Sequence, residues 1–548
     1  MLTALAALPE RALFASFRTD DRAYRVAFLV FLSVVIAWTG LLIGIGPVDL
    51  TASPQDITGL LDGGWRILNG QVPHNDFYCH LGPGVPYLLA LGMAISGPNV
   101  YAVILPVLGA SLGLGVGAWV IARSRLGAPL ALLMSLTVFA TTISPCPLGW
   151  SPSGTDYAMF YNRMGYAALM VLALECFVRR RIGNAQPFAR RTAFTAGLLL
   201  AFLLALKVTY FFVALPMVGV APVFLGAPKK WYVWCAAGFA SLAAFIWLAL
   251  RVQPGAFLRD MWMVYRVARD TQARTVPRLL TLALQLWFNL ALMAVAFAMA
   301  AWIRRRDFQK LWRCALAVAL LVGADLLLGI SNAQLPVAVL IPAETLILFE
   351  LAFRPHPGES YFGSEDKSSP RISLNRILLA CSIFLGTQVI IAELGATAYA
   401  LKERIERGPG GYPGRQIDAA PFREAFMPPL PHAQRDYPQQ VNLGLELLRK
   451  HATKQSKLVA LEFTNPFNVA LGLKPANGDA WWLHKNKTFS DHTHPSPDRL
   501  FAEADFVIIS RRWSRFLWPI YGSYIERNFQ IEERNQEWTL FRRKGVAP

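Results

Sequence analysis

Apolar runs of about 20 residues recur along roughly the first 400 positions of the sequence. A helix of that length spans the hydrocarbon core of a bilayer. With 54% hydrophobic residues and a mean hydropathy of +0.37, the chain has the composition of a membrane-embedded protein rather than of several soluble domains. The sequence therefore predicts an α-helical, polytopic membrane protein.

Eleven membrane spans are expected. They lie at about 26–46, 100–122, 127–143, 164–178, twice within 192–227, and at 231–250, 279–302, 314–330, 334–353 and 376–397. The first run is too long for a signal-peptide core and is read as a retained span. Four arginines precede it, and nearly every loop on the same side is basic, so the positive-inside rule places the N-terminus in the cytoplasm.

The formal net charge of +18 could indicate a nucleic-acid partner. The arginines, however, lie mainly in short segments between apolar runs, where they serve membrane topology, so no nucleic-acid partner is expected. The six cysteines are scattered and form no C-x-x-C pair, which argues against a structural zinc site. Cys79 and Cys146 both fall on the predicted outer side, which leaves a disulfide between them conceivable.

The composition changes at about residue 400, where charged and turn residues become frequent and spans stop. The segments "SKLVALEF", "ADFVIIS" and "WTLFRR" predict strands, and "YPQQVNLGLELLRKHA" predicts an amphipathic helix. We expect a transmembrane domain over 1–399, with an outer loop at 47–99, and a small α/β domain over 400–548 on the outer side, joined by the Gly/Pro-rich "RGPGGYPGRQ".

The outer loop contains "DITGLLDGGWRILNGQVPHNDFYCHLGPGVPY", in which three aspartates stand among turn residues. If its start is helical, Asp62 and Arg66 pair four residues apart, and an exposed ion pair is the simplest interpretation. Asp76 either caps a turn or contacts a substrate. Asp56 has no obvious local partner, which makes it the better candidate for a carboxylate that acts as a general base or cation ligand.

Basic residues in other predicted outer segments are candidates for binding phosphate. The loop 251–278 is basic although it lies outside, and guanidinium groups such as those of Arg266 and Arg269 match phosphate or pyrophosphate geometry. Headgroup contact by an interfacial helix is the alternative for both. Lys207 occupies an outer turn, "ALKVTY", at the level of a lipid-linked phosphate, with snorkelling to ordinary headgroups as the alternative.

The C-terminal segment "HKNKTFSDHTHPSPDR" gathers polar side chains. His492 and His494 lack a third metal ligand of diagnostic spacing, so a polar loop that contacts an acceptor is the preferred interpretation. Trp481 and Trp482 are of the kind that stack on sugar rings, but core packing is the commoner use of such residues.

These features resemble the bacterial GT-C class of integral-membrane glycosyltransferases, including its protein mannosyltransferase-like and lipid A aminoarabinose transferase-like members. Asp56 stands at the first acidic position of that class's outer loop, "WRILNGQVPHNDF" matches the helix end and the P-x-x-D step with Asp76, and "GPGVPY" matches the closing element. The segment "LLALKVTYFF" resembles the class's outer-face lysine. The resemblance covers about the first 230 residues. Ile57 replaces the second acid of an expected D-E pair, and Asp156 is its candidate substitute.

The resemblance implies transfer of a sugar from a polyprenyl-phosphate donor to a lipid or glycan acceptor at the outer face of the bacterial inner membrane. Such a reaction requires a carboxylate that deprotonates the acceptor hydroxyl and cations that stabilise the departing lipid phosphate. The catalytic candidates are Asp56 and Asp156; the substrate-binding candidates are Asp76, His80, Arg163, Lys207, Arg266 and Arg269. No cofactor or metal ligand is assigned, and a divalent cation is left open.

Two other functions compete with this interpretation. An O-antigen polymerase or ligase-like enzyme would also use polyprenyl-linked sugars and would explain the arginines of 251–278. A non-enzymatic lipid or solute transporter is expected to carry intramembrane charges or matched halves. Asp325 and Glu344 are the obvious acids within later spans, and no matched halves are found.

Overall fold

The computed structural model describes residues 22–180, 190–270, 275–332, 338–353, 370–408, 411–412, 415–428 and 437–545. Several predicted features fall partly outside these residues. They include Arg11 and Arg18 before the first span, most of the expected inner loop 354–376, the end of the basic loop 251–278, and parts of the Gly/Pro-rich linker.

Fifteen helices cover the described part of the first 407 residues. They are α1 (Arg22–Ile45), α2 (Pro54–Leu68), α3 (Gly84–Ser96), α4 (Tyr101–Ala122), α5 (Ala128–Ile143), α6 (Phe160–Phe177), α7 (Arg190–Leu206), α8 (Val208–Leu225), α9 (Lys230–Ala244, continued by a π-helical turn Phe245–Ala249), α10 (Pro254–Asp270), α11 (Thr275–Gln285), α12 (Trp287–Arg304), α13 (Phe308–Ser331), α14 (Ile341–Phe353) and α15 (Pro370–Arg407). Each of the eleven apolar runs in the sequence coincides with one or two of these helices.

Within the described residues, six helices are long and apolar enough to cross a membrane: Arg22–Ile45, Tyr101–Ala122, Val208–Leu225, Lys230–Ala249, Phe308–Ser331 and Ala380–Arg407. The pair Leu279–Gln285 and Trp287–Trp302, bent by 76°, makes a seventh if it is one span. Two shorter apolar helices, α3 and α5, accompany them. A polytopic membrane protein is therefore confirmed in outline, and the count of eleven spans stays a prediction.

The stretch 56–87 quoted above, called the acidic loop from here on, begins within the helix α2. This helix is almost entirely buried. Pro54 occupies its first turn, where the missing N–H breaks no hydrogen bond of the helix. Asp56 in the first turn and Arg66 in the last turn have charges that complement the helix dipole. Gly59 and Gly63 permit close contact with the C-terminal region. A β-carbon added at Gly59 would lie 2.3 Å from the Trp482 Nε1 atom, and one added at Gly63 would lie 2.6 Å from the Trp481 ring. Only residues without a side chain fit these two positions.

The C-terminal region forms a small α/β unit. Its elements are α16 (Tyr437–His451), β1 (Leu458–Leu461), α17 (Phe467–Leu471), α18 (Pro497–Leu500), β2 (Phe506–Ser510), α19 (Arg511–Asn528), β3 (Phe529–Arg534) and β4 (Trp538–Arg543). The sheet order is β1-β2-β4-β3, with β1 and β2 parallel and the other pairs antiparallel. The three predicted strands and the amphipathic helix are confirmed, whereas β3 was not predicted.

A buried ion cluster joins α2 to the C-terminal region. Arg66 Nε lies 2.7 Å from Asp62 Oδ2, and its Nη2 atom contacts the Asp479 carboxylate. Asn468 Nδ2 donates a hydrogen bond of 3.0 Å to the other oxygen of Asp62. The expectation of an exposed ion pair is therefore wrong: the Arg66 side chain is 0% exposed, because the C-terminal region covers it.

A second buried contact joins the acidic loop to α10. His74 Nδ1 lies 3.1 Å from Asp260 Oδ2, which also accepts a 3.1 Å hydrogen bond from the Cys79 amide. Cys79 and Cys146 are both free thiols, and their sulfur atoms face backbone carbonyls within their own loops. The conceivable disulfide between the two loops is therefore absent.

Candidate active site

A cavity of about 380 Å³ lies where the acidic loop, the helical bundle and the C-terminal region meet. Residues from several distant parts of the chain line it. Asp56 and His80 come from the acidic loop, Lys207 from the turn between α7 and α8, and Glu462 from the end of β1. Three of the sequence-predicted residues, Asp56, His80 and Lys207, are thus brought together.

Asp56 lies in the first turn of α2 and faces the cavity with 8% of its surface exposed. Within the described residues, no group donates a hydrogen bond to its carboxylate. Burial and, to a lesser degree, the nearby Asp156 carboxylate raise the pKa of Asp56 to about 8. A carboxyl group of this kind takes up a proton readily near neutral pH, which suits a general base.

Asp156 does not line the cavity but fixes the start of α2. Its Oδ2 atom accepts a 2.6 Å hydrogen bond from the Ser53 amide, and its Oδ1 atom accepts one of 2.8 Å from the Ala158 amide. Burial raises the pKa of Asp156 to about 7, although these hydrogen bonds and Arg163 oppose the rise. The geometry gives Asp156 a role in positioning Asp56.

Lys207 precedes α8 and extends into the cavity. Its Nζ atom donates a 2.6 Å hydrogen bond to Asn332 Oδ1 and lies 6.0 Å from the centre of the Tyr161 ring. Burial and, to a lesser degree, the charge of Lys487 lower the pKa of Lys207 to about 7. The lysine is therefore ready to gain a favourable interaction with an anion.

Side chains from three helices hold Lys207 in place. Asn332, at the end of α13, donates a 3.3 Å hydrogen bond from Nδ2 to the Tyr210 hydroxyl, which donates one of 3.1 Å to the Asn162 carbonyl. Asn162 itself lines the cavity. Sequence reasoning missed Asn332, because an asparagine at the end of an apolar run looks like an ordinary helix end.

The C-terminal region supplies a second acid and two further cations. Glu462 follows β1 directly and accepts a 3.1 Å hydrogen bond from the Phe463 amide. Burial raises the pKa of Glu462 to about 7, against a hydrogen bond from Ser510. Lys487 and Arg512 also line the cavity. The carboxyl ends of the parallel strands β1 and β2, where ligands often bind, could have indicated Glu462 and Arg512.

Aromatic rings form a row along the cavity. Trp482 packs between His80 and Phe463, with ring centroids 4.8 and 5.9 Å away, and Phe463 stacks on Trp513 at 6.0 Å. Burial lowers the pKa of His80 to about 3, so its ring is neutral. Trp481 is fully buried and donates a 2.7 Å hydrogen bond to the Gly59 carbonyl, so core packing is confirmed for it.

Two other candidates are placed away from the cavity. Arg163 makes a two-pronged ion pair with Glu393, at 2.8 and 3.1 Å, and donates a 2.8 Å hydrogen bond to the Thr141 carbonyl. Asp76 accepts a 2.7 Å hydrogen bond from the Val72 amide, which closes a turn. Both side chains therefore make contacts within the protein, and neither lines the cavity.

Arg266 and Arg269 lie on the exposed side of α10, and neither lines the cavity. Trp262 and Tyr265 on the same helix are also exposed, at 59% and 50%, a pattern typical of a helix at a membrane interface. Among the described residues, no three His, Cys, Asp or Glu side chains are grouped as metal ligands.

No protein-family model matches the sequence, and no curated protein matches it. Among the solved structures similar to the chain is the crystal structure of ArnT from Cupriavidus metallidurans bound to undecaprenyl phosphate, with 11% sequence identity and a TM-score of 0.42, covering 94% of this chain and 97% of that chain. Another is ArnT from the same organism in the apo state, with 12% identity, a TM-score of 0.39 and the same coverage.

Proposed function

We propose that this chain is a membrane glycosyltransferase that transfers a sugar from a polyprenyl-phosphate donor to a lipid or glycan acceptor at the outer face of the bacterial inner membrane. The observation that carries this proposal is the convergence of Asp56 and Lys207 in one cavity. The carboxylate and the ammonium group are the two kinds of group that the reaction requires.

The proposed chemistry is a displacement at the sugar's anomeric carbon. An acceptor hydroxyl attacks that carbon while Asp56 takes the hydroxyl proton. The bond between the anomeric carbon and the phosphate oxygen breaks, and the polyprenyl phosphate leaves with the bonding electrons. Lys207 stabilises the negative charge of the leaving phosphate, because an ammonium group in a partly dehydrated cavity interacts strongly with an anion.

The proposed topology places this cavity at the outer membrane surface. Eleven spans with a cytoplasmic N-terminus leave both the acidic loop and residues 400–548 outside. The C-terminal region would then cover the cavity, consistent with its contribution of Glu462, His484 and Trp482 to the lining.

The remaining predicted residues keep more modest proposed roles. Asp156 would fix the position of the start of α2, and therefore of Asp56, through its hydrogen bond with the Ser53 amide. His80 would contact substrate beside Trp482 as a neutral imidazole. Arg266 and Arg269 would contact lipid headgroups or a lipid-linked phosphate from the exposed side of α10, where no contact with the cavity is needed.

The test is transfer of labelled sugar from a polyprenyl-phosphate donor to the cell envelope in membranes that contain the protein. Asp56→Asn should lower the rate on the order of 10²- to 10⁴-fold, the usual contribution of a general base. The matched control is Asp491→Asn, which changes an exposed carboxylate paired with Lys485. Undiminished transfer by Asp56→Asn would show that the base is wrongly assigned.

Two outcomes of the same experiment would favour the alternatives. Loss of activity on substitution of Arg266 and Arg269, with full activity in Asp56→Asn, would favour the polymerase or ligase-like enzyme. Movement of the labelled lipid or solute across the membrane without a change in its covalent structure would favour a transporter.

A further inference from the structure

Lys487 reaches the cavity from a tight turn in the C-terminal region. Its amide donates a 3.0 Å hydrogen bond to the His484 carbonyl, and Asn486 before it adopts a left-handed conformation with φ of 64°. The Thr488 hydroxyl accepts a 2.7 Å hydrogen bond from the His484 amide. The Tyr78 hydroxyl donates one of 3.2 Å to the Thr488 carbonyl, which ties this turn to the acidic loop. The backbone that carries Lys487 is therefore well fixed.

Lys207 and Lys487 come from separate parts of the chain and line the same cavity. Two ammonium groups repel each other, and the repulsion grows as water is removed from around them. The charge of Lys487 is one cause of the lowered pKa of Lys207. The partner that holds the Lys207 ammonium is the neutral Asn332 amide, so the hydrogen bond does not offset this repulsion with a negative charge.

The other charged groups of the cavity leave it positive. Arg512 adds a third cation. Burial raises the pKa of Asp56 to about 8 and that of Glu462 to about 7, so neither acid is fully ionised at neutral pH. Burial also lowers the pKa of His484 to about 4, so its ring is neutral. An anion bound between the lysines would relieve the repulsion.

We propose that Lys487 is a second phosphate-binding lysine of this cavity, and that a phosphate group held by Lys207 and Lys487 together links the C-terminal region to the helical bundle. This inference rests on the proposed function, since the phosphate is that of the polyprenyl-phosphate donor. Ligand binding to the folded state alone stabilises that state. Donor binding would therefore raise the thermal stability of the whole chain, and Lys487 would contribute to that effect.

The test is a thermal-unfolding titration of the purified full-length protein with a polyprenyl phosphate, with inorganic phosphate, and with the corresponding polyprenol that lacks phosphate. The variants are Lys487→Gln, Lys487→Arg and Lys207→Gln. The matched control is Lys474→Gln, an exposed lysine of the same region that does not line the cavity. Midpoints without ligand show whether each variant is folded.

Loss of one charge-assisted contact to phosphate should weaken polyprenyl phosphate binding about 10- to 100-fold in Lys487→Gln. Lys487→Arg should retain most of the affinity, Lys474→Gln all of it, and polyprenol should give no shift. If Lys487→Gln loses affinity for inorganic phosphate as well, the site binds the phosphate group itself. If it loses affinity for polyprenyl phosphate alone, the site binds phosphate in its lipid-linked form. Either result supports the proposal.

The two levels of the proposal fail in different ways. If the wild-type protein is stabilised by polyprenyl phosphate and Lys487→Gln binds it equally well, the role of Lys487 is wrong while the proposed function stands. If polyprenyl phosphate does not stabilise the wild-type protein at all, both the role of Lys487 and the proposed lipid-phosphate donor are overturned.

Discussion

Replacing Asp56 with asparagine is expected to stabilise the protein while it lowers the rate of transfer on the order of 10²- to 10⁴-fold. Asp56 as a residue is 8% exposed, and within the described residues its carboxylate accepts no hydrogen bond. Burial, assisted by Asp156, raises its pKa from 3.8 to about 8. Keeping a buried carboxylate ionised costs free energy, and a neutral amide of the same shape does not carry the charge that causes this cost.

Linkage between protonation and folding gives the size of the effect. The stability contributed by protonated Asp56 is fully present below pH 3.8 and is lost as the pH rises through about 8, because the folded state retains a proton that the unfolded chain has released. Each pH unit in this window lowers the free energy of unfolding by about 1.4 kcal/mol, which amounts to about 4 kcal/mol at neutral pH. The advantage of Asp56→Asn should therefore grow with pH across this window and disappear at its acidic end.

The assay compares thermal midpoints of the purified wild-type protein and Asp56→Asn over a series of pH values, with transfer activity measured in parallel. Asp491→Asn, in an exposed loop, is the control for a general effect of charge. The pH dependence of wild-type turnover should show an apparent pKa of about 8, with activity rising as Asp56 loses its proton. A stability difference that does not change with pH, together with full activity in Asp56→Asn, would refute the reasoning.

Four further predictions follow from the same contacts. The KM for the donor should rise as the pH rises through about 7, because Lys207 then loses the charge that binds phosphate. Asn332→Ala should raise KM for the donor by roughly tenfold with an unchanged fold by circular dichroism, since the lysine loses its 2.6 Å hydrogen bond. Gly59→Val should lower the thermal midpoint, because its β-carbon would meet Trp482 at 2.3 Å; overpacking of this kind costs about 1–3 kcal/mol. Arg66→Met should cost about 3–5 kcal/mol by leaving two buried carboxylates unpaired, and an unchanged melting curve would contradict that role.

The apolar helices could be predicted from sequence because hydropathy alone selects them. Every apolar run coincides with a helix, since a segment inside a bilayer must satisfy its own backbone hydrogen bonds. The strand Phe529–Arg534 could not be recognised in this way. Its sequence "FQIEER" is mostly polar, because it lies at the edge of the sheet with most of its side chains partly or fully exposed.

The candidate site could be predicted in part. Asp56 and Lys207 attract attention because charged residues are rare beside long apolar runs, and the structure places both in one cavity. The prediction for Asp62 and Arg66 was wrong in its environment, since their burial depends on Asp479, 413 residues from Arg66 along the chain. A local spacing rule contains no information about such a distant partner.

Glu462 was not predicted for a similar physical reason. In sequence it follows an ordinary apolar strand, and it shares a cavity with Asp56 and Lys207 only in the folded chain. The same packing turns Trp482 from a generic core residue into part of the cavity wall. When a site is built from distant segments, the sequence therefore reveals only those members that are unusual in their own segment.

The fate of a doubly labelled donor tests the proposed reaction directly. A polyprenyl-phosphate sugar labelled separately in the sugar and in the phosphate would be supplied to proteoliposomes that contain the protein and envelope acceptors. We expect the sugar label to move to the acceptor while the phosphate label remains on the polyprenyl lipid, and both to stay together with Asp56→Asn. Sugar and phosphate that remain joined in the wild-type preparation would contradict the assignment as a glycosyltransferase.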